Sequence, residues 1–108
     1  MPRYLLQAKY TQQGMAGLVS SPEDRSGVIK TLAQSIGGKL ISLDYCFGEY
    51  DLIIMLEMPD DTTMASVVMA VGASGTATNL HTTPLIPIAD GFAAAQKANA
   101  ISYRGPGK

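Results

Sequence analysis

A chain of 108 residues with one cysteine and a formal net charge of −1 suits one domain and excludes an internal disulfide framework. Its eight Lys and Arg residues are scattered, which argues against a surface built for nucleic-acid phosphates. The apolar fraction of 46% is that of a globular protein, yet no run reaches the ~18 apolar residues that would span a bilayer.

Met1-Pro2-Arg3-Tyr4 runs straight into an alternating pattern, unlike a secretory leader, so a cytoplasmic location is expected. Arg3 to Tyr10 reads as a strand, with Tyr4, Leu6, Ala8 and Tyr10 on one face and Arg3, Leu5, Gln7 and Lys9 on the other. Thr11 to Gly14 breaks the pattern, and Met15 to Val19 is expected to form a short helical turn. Ser21 ahead of Pro22-Glu23-Asp24 predicts a helix with an N-cap, a first-turn proline and first-turn acids. Val28, Ile29, Leu32, Ala33 and Ile36 form its buried stripe, and Gly37-Gly38 ends it.

Residues 39–58 predict a β-hairpin, two apolar runs joined across Gly48-Glu49. A two-residue loop puts Phe47 opposite Tyr50 and Cys46 opposite Asp51. Ile41, Leu43, Tyr45 and Phe47 then share a face with Tyr50, Leu52, Ile54 and Leu56, while Ser42, Asp44 and Cys46 share the other with Asp51, Ile53 and Met55. Pro59-Asp60-Asp61 caps a second helix with the stripe Met64, Val67, Val68 and Val71. Thr76 to Thr83 reads as a fourth strand ended by Pro84. Pro87 opens a C-terminal helix to about Ala98 whose Ile88, Phe92 and Ala95 are expected to dock. One domain over 1–98 and a tail or inter-subunit arm over 99–108 follow from this order.

The order β-α-β-β-α-β is an α+β plan, with an antiparallel sheet and both main helices on one side. Two helices cover only one face. Leu5, Ile53 and Met55 make the other face apolar at its centre, and a second copy of the same sheet is its simplest cover.

The Gly48-Glu49-Tyr50-Asp51 stretch, the following apolar strand and Pro59-Asp60-Asp61 resemble the GYD-domain family, named for a Gly-x-Tyr-Asp pattern at this junction. The opening Tyr4 to Gly14 segment and Thr83-Pro84-Leu85 are similar too, so the resemblance spans roughly residues 3–98. It implies a ferredoxin-like subunit of the dimeric α/β-barrel type, two sheets packed face to face. It implies no one activity: related barrels include cofactor-free monooxygenases, haem-handling enzymes and plain binding or assembly modules.

The candidate site is the second sheet face. Leu5, Gln7 and Lys9 from the first strand, Asp44 and Cys46 from the second, Ile53 and Met55 from the third and Asn79 from the fourth are expected to line a pocket between two sheets. Asp51 is a candidate proton acceptor at its rim, or else a structural carboxylate holding turn N–H groups. His81, the one histidine, is a second candidate base or an interface hydrogen-bonder. Tyr50 reads as a core anchor on the helix-facing side, and Cys46 as a small buried hydrophobe. One histidine and one cysteine do not build a zinc site, and no glycine loop has phosphate-binding spacing, so neither metal nor cofactor is expected. The functional expectation is a homo-oligomer binding a small apolar or aromatic molecule between its sheets. The rivals are a cofactor-independent oxygenase or isomerase using Asp51 or His81, and an assembly module without ligand.

Overall fold

A computed structural model describes residues 1–108. In chain order the elements are β1 (Arg3–Tyr10), α1 (Gln12–Ser20), α2 (Ser26–Ser35), β2 (Lys39–Tyr45), β3 (Leu52–Glu57), α3 (Asp61–Ala73), β4 (Ala77–Leu85) and α4 (Ile88–Asn99). The strands form one antiparallel sheet in the order β2-β3-β1-β4, which is the ferredoxin-like arrangement.

Local chemistry sets the helix limits. Asp60 caps α3 by accepting from the Thr63 N–H at 2.8 Å. Thr11 caps α1 by accepting from the Gly14 N–H at 3.0 Å, and the expected helical turn becomes a nine-residue helix. Helix α2 starts at Ser26 rather than at Pro22. Ser21 is taken up in ending α1, donating its N–H to the Gly17 carbonyl at 3.0 Å. Asp24 instead accepts from the Ser26 N–H at 2.9 Å and its hydroxyl at 2.6 Å, which holds the Asp24 carboxyl below the usual carboxylate range.

The core lies between α2, α3 and one face of the sheet. Tyr4 and Leu6 of β1, Ile54 and Leu56 of β3, Ala33 of α2, and Met64 and Val67 of α3 meet there, around a fully buried Met58. The Tyr4 hydroxyl donates to Asp61 Oδ1 at 2.5 Å and ties β1 to the first turn of α3. That bond and burial push Tyr4 up to about 12 from the ordinary 10.0; burial first, then Tyr45, pushes Tyr10 to about 12 as well. A raised tyrosine pKa stabilises the fold fully below the ordinary value, and this contribution is lost as pH rises through the folded one. Ultraviolet titration is expected to show two of the five tyrosines ionising late, and Tyr4→Phe is expected to remove one of them and flatten the stability loss between pH 10 and 12.

Two register shifts change which residues meet the core. Between β2 and β3, Leu43 pairs Ile54 and Ser42 pairs Met55, but Leu40 pairs Leu56. The extra residue is Ile41, so Leu40 joins the core in its place and Ile41 is 37% exposed. Between β1 and β4, Gln7 pairs His81 but Lys9 pairs Thr78, with Asn79 in the left-handed region at φ 51°. Ala77 is therefore the buried residue at the start of β4, which continues through Pro84 to Leu85.

The expected docking of the last helix does not occur. No residue of α4 is buried, with Ile88 at 91% and Phe92 at 66% exposure, and the chain extends 59 × 33 × 22 Å. Isolated helices of this length are marginal in water, and α4 gains no packing against the core to support it.

Candidate functional site

The helix-free face of the sheet carries the residues expected there from β1 and β3. Leu5 pairs Met55, and Gln7 pairs Ile53; Asp44 lies beside Ile53, and Ser42 beside Met55. On the β4 side, Thr83 adjoins Leu5, and His81 adjoins Gln7. Leu5, Ile53 and Met55 are half-buried and belong to no part of the core cluster. This face is an apolar patch with a polar border, open along its length.

The Gly48-to-Asp51 segment acts as a clip. Regular β2–β3 pairing stops at Tyr45 and Leu52, although the Cys46 N–H still donates to the Asp51 carbonyl at 2.8 Å. Gly48 adopts φ 111°, a conformation that disfavours side chains and lets the loop turn. Phe47 is fully exposed instead of meeting the core, because the loop leaves the sheet before it. Tyr50 departs from the expected alternation in the same way. Its ring lies 6.4 Å from that of His81, tilted by 46°, and not among the helix-facing core residues.

Asp51 completes the clip. Its N–H donates to the Ala8 carbonyl at 2.9 Å, and its Oδ2 accepts from the Tyr10 N–H at 2.8 Å. Where the β1–β3 ladder ends at Ala8 and Leu52, the carboxylate therefore stands in for the missing backbone acceptor. No ion pair links Asp51 to Lys9 or to His81, the two ion pairs being Arg3–Glu57 and Arg25–Glu23. Cys46 donates its thiol to the Tyr50 carbonyl at 3.1 Å and is half-buried. The bulge takes Asn79 out of the alternation that would set it beside His81, and its side chain is exposed. Asp51→Ala is expected to lower the unfolding free energy by about 1–3 kcal/mol, since it orphans the Tyr10 N–H. Asp51→Asn keeps an acceptor and is expected to cost much less in a denaturant melt.

A second feature was not visible in the pattern of residues. On the opposite, helix-bearing face, a cleft of about 270 Å³ opens between α2 and α3 above Ala8 and Leu52. Its walls are Val28, Ile29 and Leu32 on one side and Ala70 and Val71 on the other, with Tyr10, Arg25, Ser74 and Thr76 at its polar end. Helix α2 packs chiefly over β2 and α3 chiefly over β4, leaving the central strands thinly roofed. The one available signal was size: Ala8, Ala70 and Ala77, all small, converge there.

A family model described as the GYD domain matches residues 4–95, the greater part of the chain, including the clip and both main helices. The chain belongs to the GYD domain family. Within this GYD chain, the glycine turns the loop, the tyrosine meets His81 and the aspartate secures the end of β1. A curated relative from Thermus thermophilus is 27% identical over 90 residues, covering 83% of this chain and 94% of its own length. It is named glutamine synthetase and cystathionine beta-lyase binding protein. No solved structure gives a significant match.

Proposed function

We propose that this GYD protein is a self-associating binding module, closed sheet to sheet against a second copy and recognising other proteins from that assembled form. The observation that carries the reading is the open face centred on Leu5, Ile53 and Met55, which nothing in the chain itself covers. The name of the Thermus relative, which gives two enzymes as its partners, supports protein recognition in place of chemistry on a substrate.

The C-terminal arm fits the same reading. Four strands about 4.8 Å apart and about 7 residues long offer a flat face of only about 450 Å². A stable interface buries about 800 Å² per partner, so the face needs a supplement. Helix α4 and its extension, with Phe92, Ile101 and Tyr103 exposed, supply it by clasping the twin subunit. The pocket expected between the sheets exists only once two copies meet, with Gln7, Asp44 and His81 at its border. Asp51 enters that assembly as a structural carboxylate, engaged by Tyr10, so the oxygenase reading has less support. Light scattering across a concentration series is the test. A dimer or larger closed assembly is expected, and a single chain at the highest soluble concentration would sink the reading.

A further inference from the structure

The cleft on the helix-bearing side has no role in sheet-to-sheet association. One end is sealed, where Ala33, Met58 and Val67 close over the core at 1%, 0% and 3% exposure. The other end is open, because α2 packs over β2 and α3 over β4, and the small Ala8, Ala70 and Ala77 leave the space between them unfilled. Val28, on its wall, remains 46% exposed, although α2 presents it inward along its apolar stripe. A space lined by half-wet aliphatic side chains favours any apolar group that displaces the water.

Size limits the occupant. At about 270 Å³ the cleft lies just under the usual range of roughly 300–1,000 Å³ for small-molecule sites. A partner helix, about 10–12 Å across, is too wide to enter.

Charge limits it further. Arg25 is the one charged residue of the lining, and Glu23 already holds it at 2.6 Å. Asp24 stands beside that pair, so an anion gains no free cation and meets two carboxylates. A neutral group fares better. Ser74 donates its hydroxyl to the Val71 carbonyl at 2.6 Å, so across the 2.8 Å contact between the two hydroxyls Thr76 is the donor. The Thr76 oxygen keeps its acceptor lone pairs at the open end, and Tyr10 adds a phenol that stays protonated.

We infer that the α2–α3 cleft binds a small neutral molecule, a single aromatic ring or a branched aliphatic group carrying one hydroxyl, with the apolar part toward Leu6 and Ile54 and the hydroxyl toward Thr76. The site belongs to each chain separately and does not require the assembly proposed above.

The test is a two-dimensional NMR titration of the full chain with para-ethylphenol. Saturable shifts are expected at the amides of Val28, Ala70, Val71 and Leu80. Ala70→Phe and, from the opposite wall, Val28→Phe each place a ring in the cleft and are expected to weaken binding at least tenfold while keeping a folded spectrum. Ile53→Lys, on the other face, is expected to leave the affinity unchanged, so failure of the assembly and failure of the cleft read out separately. The charged analogue para-ethylbenzoate is expected to bind at least tenfold more weakly, and equal binding would overturn the assignment of a neutral ligand. Shifts confined to Leu5, Ile53 and His81, non-saturating shifts, or undiminished binding by both ring-filled variants would overturn the site. Cleft amides that move with protein concentration alone would overturn it too, by showing a second copy's side chain inside.

Discussion

Gly14→Ala is expected to lower the unfolding free energy by about 3 kcal/mol or more, at the upper end of overpacking penalties. Gly14 is the buried residue of α1, and a Cβ there would fall directly on the Thr76 carbonyl oxygen, with the carbonyl carbon 3.0 Å and the Cα 3.1 Å away. All three atoms are backbone, so no side chain can swing aside. The Thr76 carbonyl is also fixed, because it accepts from the Thr11 N–H at 3.0 Å, while Thr11 Oγ1 donates to the Gly75 carbonyl at 2.7 Å. Moving α1 away would break the contacts that bind it to the α3–β4 turn. Gly17 lies in the same helix, one turn on, with nothing within 4 Å of a Cβ. Gly17→Ala is therefore expected to stabilise by up to about 1 kcal/mol through helix propensity alone. The same propensity gain acts at both positions, so the difference between the two variants isolates the Thr76 contact. With roughly 4–8 °C per kcal/mol in a domain near this size, thermal melts are expected to move in opposite directions. Similar melting temperatures for both variants would show that α1 is not seated on Thr76.

The larger architecture was legible because it rests on periodicity. Tyr4, Leu6 and Ala8 alternate cleanly, Met64, Val67, Val68 and Val71 repeat at helical spacing, and Asp60 is a strong cap. Neither pattern contains information on an inserted residue. The shift at Ile41 and the left-handed Asn79 each move one residue out of phase, and in both cases an equally plausible side chain stands next to the expected one. The start of α2 differs from the sequence expectation for another reason. Ser21-Pro22 and Asp24-Ser26 both carry capping chemistry, and the choice between them depends on α1 claiming Ser21 as its own end. Tyr50 departs from the strand alternation because it lies in a loop where no ladder enforces that alternation. The cleft lies beyond sequence reasoning because its walls come from α2, α3 and the sheet, distant segments whose spacing is a property of packing.

The open face supplies the second large effect. Ile53→Lys is expected to raise the dissociation constant for self-association by at least about 100-fold, which corresponds to about 2.8 kcal/mol. Ile53 sits at the centre of the uncovered face, with Gln7 on one neighbouring strand and Asp44 on the other. In an isolated chain the substitution is mild, because Ile53 is outside the core, the lysine stem can lie along the sheet, and the ammonium gains Asp44 as a neighbour. Between two sheets about 10 Å apart the ammonium has no water, and two copies bring two like charges together across the interface. The expected signature is thus a protein of nearly unchanged chemical stability per chain that no longer associates, measured by light scattering alongside a denaturant melt. Met55→Lys, between Leu5 and Ser42 on the same face, is expected to behave likewise. Substitution at Phe47, which is fully exposed in the loop beyond the sheet, is expected to leave association intact. If both lysine variants still assembled as the unmodified chain does, the copies would be meeting through some other surface, and α4, with Ile88 and Phe92 uncovered, would be the first place to look.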